Sequence, residues 1–227
     1  MKPDCELLVL GGGISGAGVA LEAARRGLRV TLVEARDYAW GASSRSSKLV
    51  HGGLRYLQSG ALHLTRESVQ EREALLRELP GLVERIGFVM AHRRPLGPGR
   101  RTMQIGLHVY DHLAGRRARG WASNADIPWL VPGLATDDGA SLYEDATTDD
   151  ARLTLRVLQE ARSLGAELHN HTTLTALQRD AQGQISGATL RGPDGFEHHV
   201  ACRCVVSASG PWLGTVAALA GAAPPRL

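Results

Sequence analysis

Residues 6–10 (ELLVL) are a short, nearly unbroken apolar run, the pattern of a strand buried on both faces. Residues 14–26 follow with Val19, Ala20, Ala23 and Ala24 at helical spacing, and Gly27 stands where a left-handed C-cap falls. Residues 29–34 (RVTLVE) are rich in β-branched side chains and read as a second strand. Strand, helix and strand within about thirty residues predict a parallel βαβ crossover. Further on, Val69, Leu75, Leu76 and Leu79 mark an amphipathic helix over 64–79, stopped by Pro80. A second such pattern (Leu153, Val157, Leu158, Ala161, Leu164) spans 150–164 before Gly165. Short strands are predicted at 167–171, 173–179, 186–191, 197–200 and 204–207, with a hairpin turn at Asp194-Gly195. A short helix closes the pattern after Pro211.

Between these periodic stretches lie two that are not periodic. Residues 37–60 are polar, rich in Ser and Gly, and too long for an ordinary connection, a sign of a functional loop. Residues 81–150 mix Pro and Gly with no clean period. The fold class that follows is α/β: a Rossmann-like domain with a parallel sheet, made of residues 1–79 and 151–227, with an α+β segment inserted at 80–150. Nothing after residue 150 is long enough to complete that insert, so a truncated chain is expected.

Composition adds bounds. The 227 residues are 43% hydrophobic and 22% charged, ordinary for a soluble globular chain. The net charge of +3 is uneven: seven arginines (93, 94, 100, 101, 116, 117, 119) and Asp111 give residues 92–120 a net +6. Such a block suits a solvated surface, an anionic substrate, a membrane face or nucleic acid. Cys5, Cys202 and Cys204 are odd in number and lack a C-x-x-C, against a disulfide framework or a zinc site. Cys202 and Cys204 alternate in a strand and are expected to point the same way, reduced, in the cytoplasm. No signal-peptide pattern is visible. The longest apolar candidate, Trp212–Ala223, falls short of the ~20 residues of a membrane span.

The first candidate site is Gly11-Gly12-Gly13-Ile14-Ser15-Gly16, a G-x-G-x-x-G between strand and helix. Gly11 permits the tight turn, Gly13 lets backbone approach a pyrophosphate, and Gly16 lets helix and strand pack closely. The helix N-terminus faces the phosphates. Glu34 ends the second strand 18 residues past Gly16, placed to accept ribose hydroxyls. This fits the ADP half of a dinucleotide and leaves FAD and NAD both open. The loop at 43–56, with its hydroxyls, Gly52-Gly53 and Arg55, can line a pyrophosphate or a flavin edge, and favours FAD.

GGGISGAG, ASSRSSKLVHGGLRYL, RESVQEREALL, GLHVYDHL, TDDARL and SASGPW occur in that order and cover most of the chain. Together they resemble the N-terminal portion of the FAD-dependent, quinone-linked glycerol-3-phosphate dehydrogenases. The resemblance implies that Gly11, Gly13 and Gly16 bind pyrophosphate and Glu34 the ribose. Ser43, Ser44, Ser47, Lys48 and Leu49 run along FAD, and His51, Gly52 and Gly53 turn beside the flavin. It implies that Arg55 and Tyr56 face glycerol 3-phosphate, that Leu174 contacts adenine through its backbone, and that Ala208, Gly210, Pro211 and Trp212 form a second flavin motif, with Ser209 a conservative departure. The implied activity is oxidation of sn-glycerol 3-phosphate to dihydroxyacetone phosphate in glycerol catabolism, with quinone as acceptor. It further implies peripheral association with the inner face of the cytoplasmic membrane and no nucleic acid partner; the oligomeric state, a homodimer included, stays open.

Each residue also has a structural reading. Arg55 can serve a salt bridge whose acid the sequence does not identify, and His51 can be a packing residue. Lys48 can be a solvated cation, and Trp212 can pack where the last helix opens. Tyr110-Asp111-His112 reads as local structure and Asp149-Asp150 as a helix N-cap pair. Competing functions are a catalytically incompetent FAD-binding fragment, an amino-acid-oxidase-like flavoprotein, an NAD-dependent dehydrogenase that would leave the 43–56 loop and SASGPW without a role, and an oxidase using O₂.

Overall fold

The structure, a computed structural model, describes residues 4–93 and 97–223. In chain order the elements are β1 (Cys5–Leu10), α1 (Ile14–Arg25), β2 (Val30–Val33), β3 (Leu49–Val50), α2 (Leu54–Gln58), α3 (Leu62–Glu78), β4 (Val83–Ala91), α4 (Arg100–Ala114), β5 (Gly120–Ala122), α5 (Ile127–Leu130), β6 (Ala140–Thr148), α6 (Asp150–Ser163), β7 (Glu167–His169), β8 (Thr173–Arg179), β9 (Ile185–Arg191), β10 (Glu197–Ser207) and α7 (Leu213–Leu219). They form two units. The first combines residues up to Ser46 with those from Asp149 onward; the second is Ser47–Thr148.

The first unit is built on a six-stranded sheet, β7-β2-β1-β10-β9-β8. β7, β2, β1 and β10 run parallel, while β10, β9 and β8 are antiparallel. The alternation along β1 sorts its side chains between two cores. Val9 faces α1 and α6, where Ala17, Ala20, Ala24, Leu158 and Ala161 are buried, and the small residues let the helices lie close to the strands. Leu8 and Leu10 face the other way, among Val33, Ala188, Leu190 and Cys202. Full burial of each such Leu or Val stabilises by about 1.5–3 kcal/mol.

The two strands predicted at 197–200 and 204–207 are one. β10 pairs antiparallel with β9 over Glu197–Ala201, then parallel with β1 from Cys202. The polar and small residues at the changeover mask its continuity in the sequence. Cys202 lies opposite Cys5 in that register, both buried, whereas Cys204, two residues further along the same strand, is exposed. Burial, reinforced by the neighbouring Cys5 and Cys204, pushes the Cys202 thiol up to about 11. One thiol is therefore expected to react quickly with a thiol reagent in native protein, with the other two following only on unfolding. Fast reaction of two or more would refute this burial pattern.

The second unit is an antiparallel sheet, β3-β6-β4, with β5 also on β6. β6 is its spine, pairing with β4 along all nine residues from Val83↔Thr148 to Ala91↔Ala140. Helices α3 and α4 belong to this unit and pack on each other and on the sheet, burying Val69, Met103 and Leu107. The contacts thus divide the chain at 46/47 and 148/149, not at 79/80 and 150/151. The first boundary moves because Leu49 and Val50 pair with Thr147 and Ala146 of β6. The stretch 81–150 holds regular elements after all: β4 and β6 of nine residues each and α4 of 15, separated by stretches that carry most of the Pro and Gly.

Candidate functional site

In the first unit the chain leaves β1 into a glycine turn that a side chain would destroy. Gly11 has φ +115°, and a Cβ there would lie 2.6 Å from the Ala208 carbonyl oxygen. A Cβ on Gly16 would come within 1.9 Å of the Gly11 carbonyl oxygen, so α1 sits on the turn backbone to backbone. Gly13 is the N-cap of α1, with no side-chain cap of its own; Ser43 Oγ accepts the Ile14 N–H at 2.9 Å. The turn therefore presents a helix N-terminus at the carboxyl end of parallel strands, the place where such sheets bind phosphate.

Glu34 follows β2 and is fixed from both oxygens. Oε2 accepts the Gly12 N–H at 2.7 Å and Oε1 the Arg36 N–H at 2.8 Å. It stands at a cavity of about 290 Å³ that also takes in Gly11, Thr172, Thr173, Leu174, Ser209 and Trp212. Four predicted residues, Gly11, Glu34, Leu174 and Trp212, therefore meet in one cavity. Its size sits at the lower end for small-molecule sites, ~300–1,000 Å³, and suits one nucleoside rather than a whole dinucleotide. The glycine cradle, the α1 N-terminus and the anchored carboxylate fit the adenosine and pyrophosphate of a dinucleotide. Gly210 opens the tight turn Gly210–Trp212 at φ +52°, and Ala208 packs beside α1.

Other walls of this cavity were not anticipated. Arg36 and Trp40 line it, and the Trp40 ring has the Arg36 guanidinium 4.9 Å from its centroid and that of Arg45 at 5.0 Å. A tryptophan in a polar Ser/Gly stretch was the available signal; a ring flanked by two cations is held by its quadrupole. Asp149 caps α6, accepting the Arg152 N–H at 3.1 Å. Asp150 accepts the first-turn Ala151 N–H through Oδ1 at 3.0 Å, and its Oδ2 accepts the Ser46 N–H and hydroxyl at 2.9 and 2.7 Å.

The remaining predicted residues, Ser47 to Tyr56, belong to the second unit. Lys48 adopts φ +58°, and its carbonyl accepts the Thr148 N–H and the Thr147 hydroxyl, both at 2.9 Å. His51, Gly53, Arg55 and Tyr56 line a cavity of about 710 Å³ together with Leu49, Leu54, Ser59, Phe88, Tyr143 and Asp145. Phe88 and Tyr143 stack with ring centroids 5.0 Å apart. Among the described residues no acid forms an ion pair with Arg55, so the structural reading of that arginine has no partner here.

Behind the cavity lies a buried network. Asp145 Oδ1 accepts from the Gly52 amide (2.8 Å), Arg72 Nη1 (2.6 Å) and the Tyr110 hydroxyl (2.9 Å). Arg72 continues to Glu73, which also receives Arg85. Burial, with the Asp145 charge adding to it, pushes the Tyr110 hydroxyl far up, so it remains a donor. Tyr110 is therefore not local structure: its partners lie 38 and 35 residues away. Asp111 is local, pairing with Arg119 at 2.7 Å.

The basic block is partly consumed in the same way. Arg100 lies 3.8 Å from the Trp121 ring centroid and Arg116 pairs with Glu144 at 3.1 Å; Arg94 lies outside the described residues. Among the described residues no helix is long and apolar enough to cross a membrane.

The sequence model of the family described as FAD dependent oxidoreductase matches residues 6–227. The chain is 40% identical over 215 residues to D-erythritol 1-phosphate dehydrogenase of Brucella abortus, covering 93% of this chain and 42% of that protein. It is 38% identical over 208 residues to glycerol-3-phosphate dehydrogenase of Pseudomonas aeruginosa, covering 92% and 40%. Among solved structures it is similar to the glycerol-3-phosphate dehydrogenase from Bacillus halodurans complexed with FAD, with a TM-score of 0.73 at 28% identity over 95% of this chain and 36% of that one. The chain thus spans about two-fifths of the length of the curated relatives it matches.

Proposed function

Because the chain belongs to the FAD dependent oxidoreductase family, we propose that it oxidises sn-glycerol 3-phosphate to dihydroxyacetone phosphate in glycerol catabolism and passes the electrons to quinone. Gly11, Gly13 and Gly16 hold the pyrophosphate on the α1 N-terminus, Glu34 the ribose and Leu174 the adenine edge; Ser43, Ser44, Ser47, Lys48, Leu49, Gly210 and Trp212 line the rest of the cofactor's course. FAD, when bound, supplies the hydride acceptor. Arg55 binds the phosphate of the substrate and Tyr56 lies beside it. His51 takes the proton of the C2 hydroxyl as the C2–H hydride leaves. Quinone as acceptor puts the working protein on the inner face of the cytoplasmic membrane, attached peripherally.

The observation that carries this reading is the cavity of the second unit, where Arg55 lines the wall and finds no acidic partner among the described residues. Arg55 is exposed at the cavity wall, and a guanidinium fork kept open to solvent can be reached by an anionic ligand and bind it bidentately. The 40% identical relative named for D-erythritol 1-phosphate favours a second reading, a four-carbon polyol phosphate with the same secondary alcohol.

Anaerobic titration of the purified, FAD-reconstituted protein tests both. Bleaching of the yellow flavin band by glycerol 3-phosphate supports the first reading, and bleaching by erythritol phosphate alone transfers it to the second. A yellow protein that neither substrate bleaches leaves a binding fragment and ends the proposal. A colourless one ends the flavin assignment as well.

A further inference from the structure

Three of the sequence strings behind the family resemblance each send to one oxygen a residue that the proposed chemistry does not use. Gly52 comes from HGGLRYL, Arg72 from RESVQEREALL and Tyr110 from GLHVYDHL; all three donate to Asp145 Oδ1. Arg72 and Tyr110 are each 2% exposed and Asp145 3%. Arg72 Nη1 also donates to the Tyr110 hydroxyl at 2.9 Å, so the donors brace one another.

A buried ion pair is a weak way to add stability, since apolar side chains of similar volume do as well or better. It is a strong way to fix a backbone amide in place, because a carboxylate accepts several charge-assisted bonds in set directions. The amide it fixes is in the right position to matter. A Cβ on Gly52 would lie 2.3 Å from the Tyr110 hydroxyl and 2.7 Å from Val69 Cγ2, so the turn is pressed against the network on one side. On the other side His51 and Gly53 line the cavity. Gly53, at φ +73°, is the N-cap of α2, which carries Arg55 and Tyr56. Two residues, Gly53 and Leu54, separate the anchored amide from Arg55.

We infer that Asp145 is a positioning residue: held by Arg72 and Tyr110, it fixes the His51–Gly53 turn and so the place of Arg55 in the cavity. This rests on the proposed role of Arg55 as the phosphate-binding group. A shift of about 1 Å in such a group costs up to ~100-fold in rate, and supporting contacts of this kind set that precision.

A double-mutant cycle on the FAD-loaded protein tests it. Tyr110→Phe removes one donor and keeps the Arg72–Asp145 pair, so the variant folds where Asp145→Asn is at greater risk. It is expected to raise KM for glycerol 3-phosphate about tenfold, with kcat and the flavin absorption little changed. In an Arg55→Ala background the same substitution is expected to change kcat/KM by less than about twofold, because the group it positions is gone. Equal losses in both backgrounds overturn the inference, as does a fall in kcat alone. If the unmutated protein binds FAD but is inert toward glycerol 3-phosphate, the proposed function fails, and the inference fails with it.

Discussion

Gly16→Ala protein is expected to purify without FAD and to melt well below the parent. The new Cβ would sit 1.9 Å from the Gly11 carbonyl oxygen, and that oxygen is backbone, with no rotamer to give way. The helix must therefore lift off the turn. Forcing volume into a packed contact costs about 1–3 kcal/mol, and for a chain of this size each kcal/mol lowers Tm by roughly 2–4 °C. Loss of FAD has a separate cause: a displaced α1 no longer aims its N-terminal amides at the pyrophosphate. Gly18→Ala is the control. It lies two residues along the same helix, a Cβ there meets nothing within 4 Å, and alanine is the better helix former by up to ~1 kcal/mol. That variant should keep its colour and melt no lower than the parent. Retention of FAD by Gly16→Ala would show that the close approach is not needed for binding.

Asp145→Ala should destabilise the second unit by about 3–5 kcal/mol, because Arg72 is left charged and buried without its main partner. Chemical denaturation followed by fluorescence reads this as a lower midpoint. The double variant Arg72→Met with Asp145→Leu removes both charges and should recover most of the stability, though the Gly52 amide then has no acceptor. Stability that returns without the KM for glycerol 3-phosphate returning separates the two jobs of the network. If Asp145→Ala costs less than ~1 kcal/mol, the ion pair is more solvated than its 2% and 3% exposures imply.

How much of this was legible in the sequence depends on distance along the chain. The βαβ unit could be read because strand, glycine turn, helix and carboxylate fall within thirty residues, and each constrains the next. The buried network could not. Arg72 stands in a helix and Asp145 in a strand where pattern reading assigns charged residues to solvent, and they are 73 positions apart. The boundary at Ser46 was hidden for another reason: β3 is two residues long and α2 five, too short for any period to show. The pairing of β3 with β6, not its own sequence, makes it a strand. Within the nucleotide cavity, the glycines, Glu34 and Leu174 came from motif and resemblance, while Arg36, Trp40 and Thr172 are walls only because three separate segments fold past one another.

The strand β10 sets an order of events. It is the neighbour of β1 in the sheet, yet Leu10 pairs with Ser207, and Ala201 donates to Asp4 across 197 residues of chain. A ribosome that has delivered β1, the glycine turn and α1 has not yet delivered the wall at Ala208 on which that turn rests. Nascent chain holding only the βαβ motif therefore lacks half of the pocket the motif announces. Cofactor capture has to wait for β10, and long-range pairing of this kind is slow. A cell short of cofactor would then accumulate this protein with its central sheet already paired, rather than as an early intermediate stalled at the N-terminus.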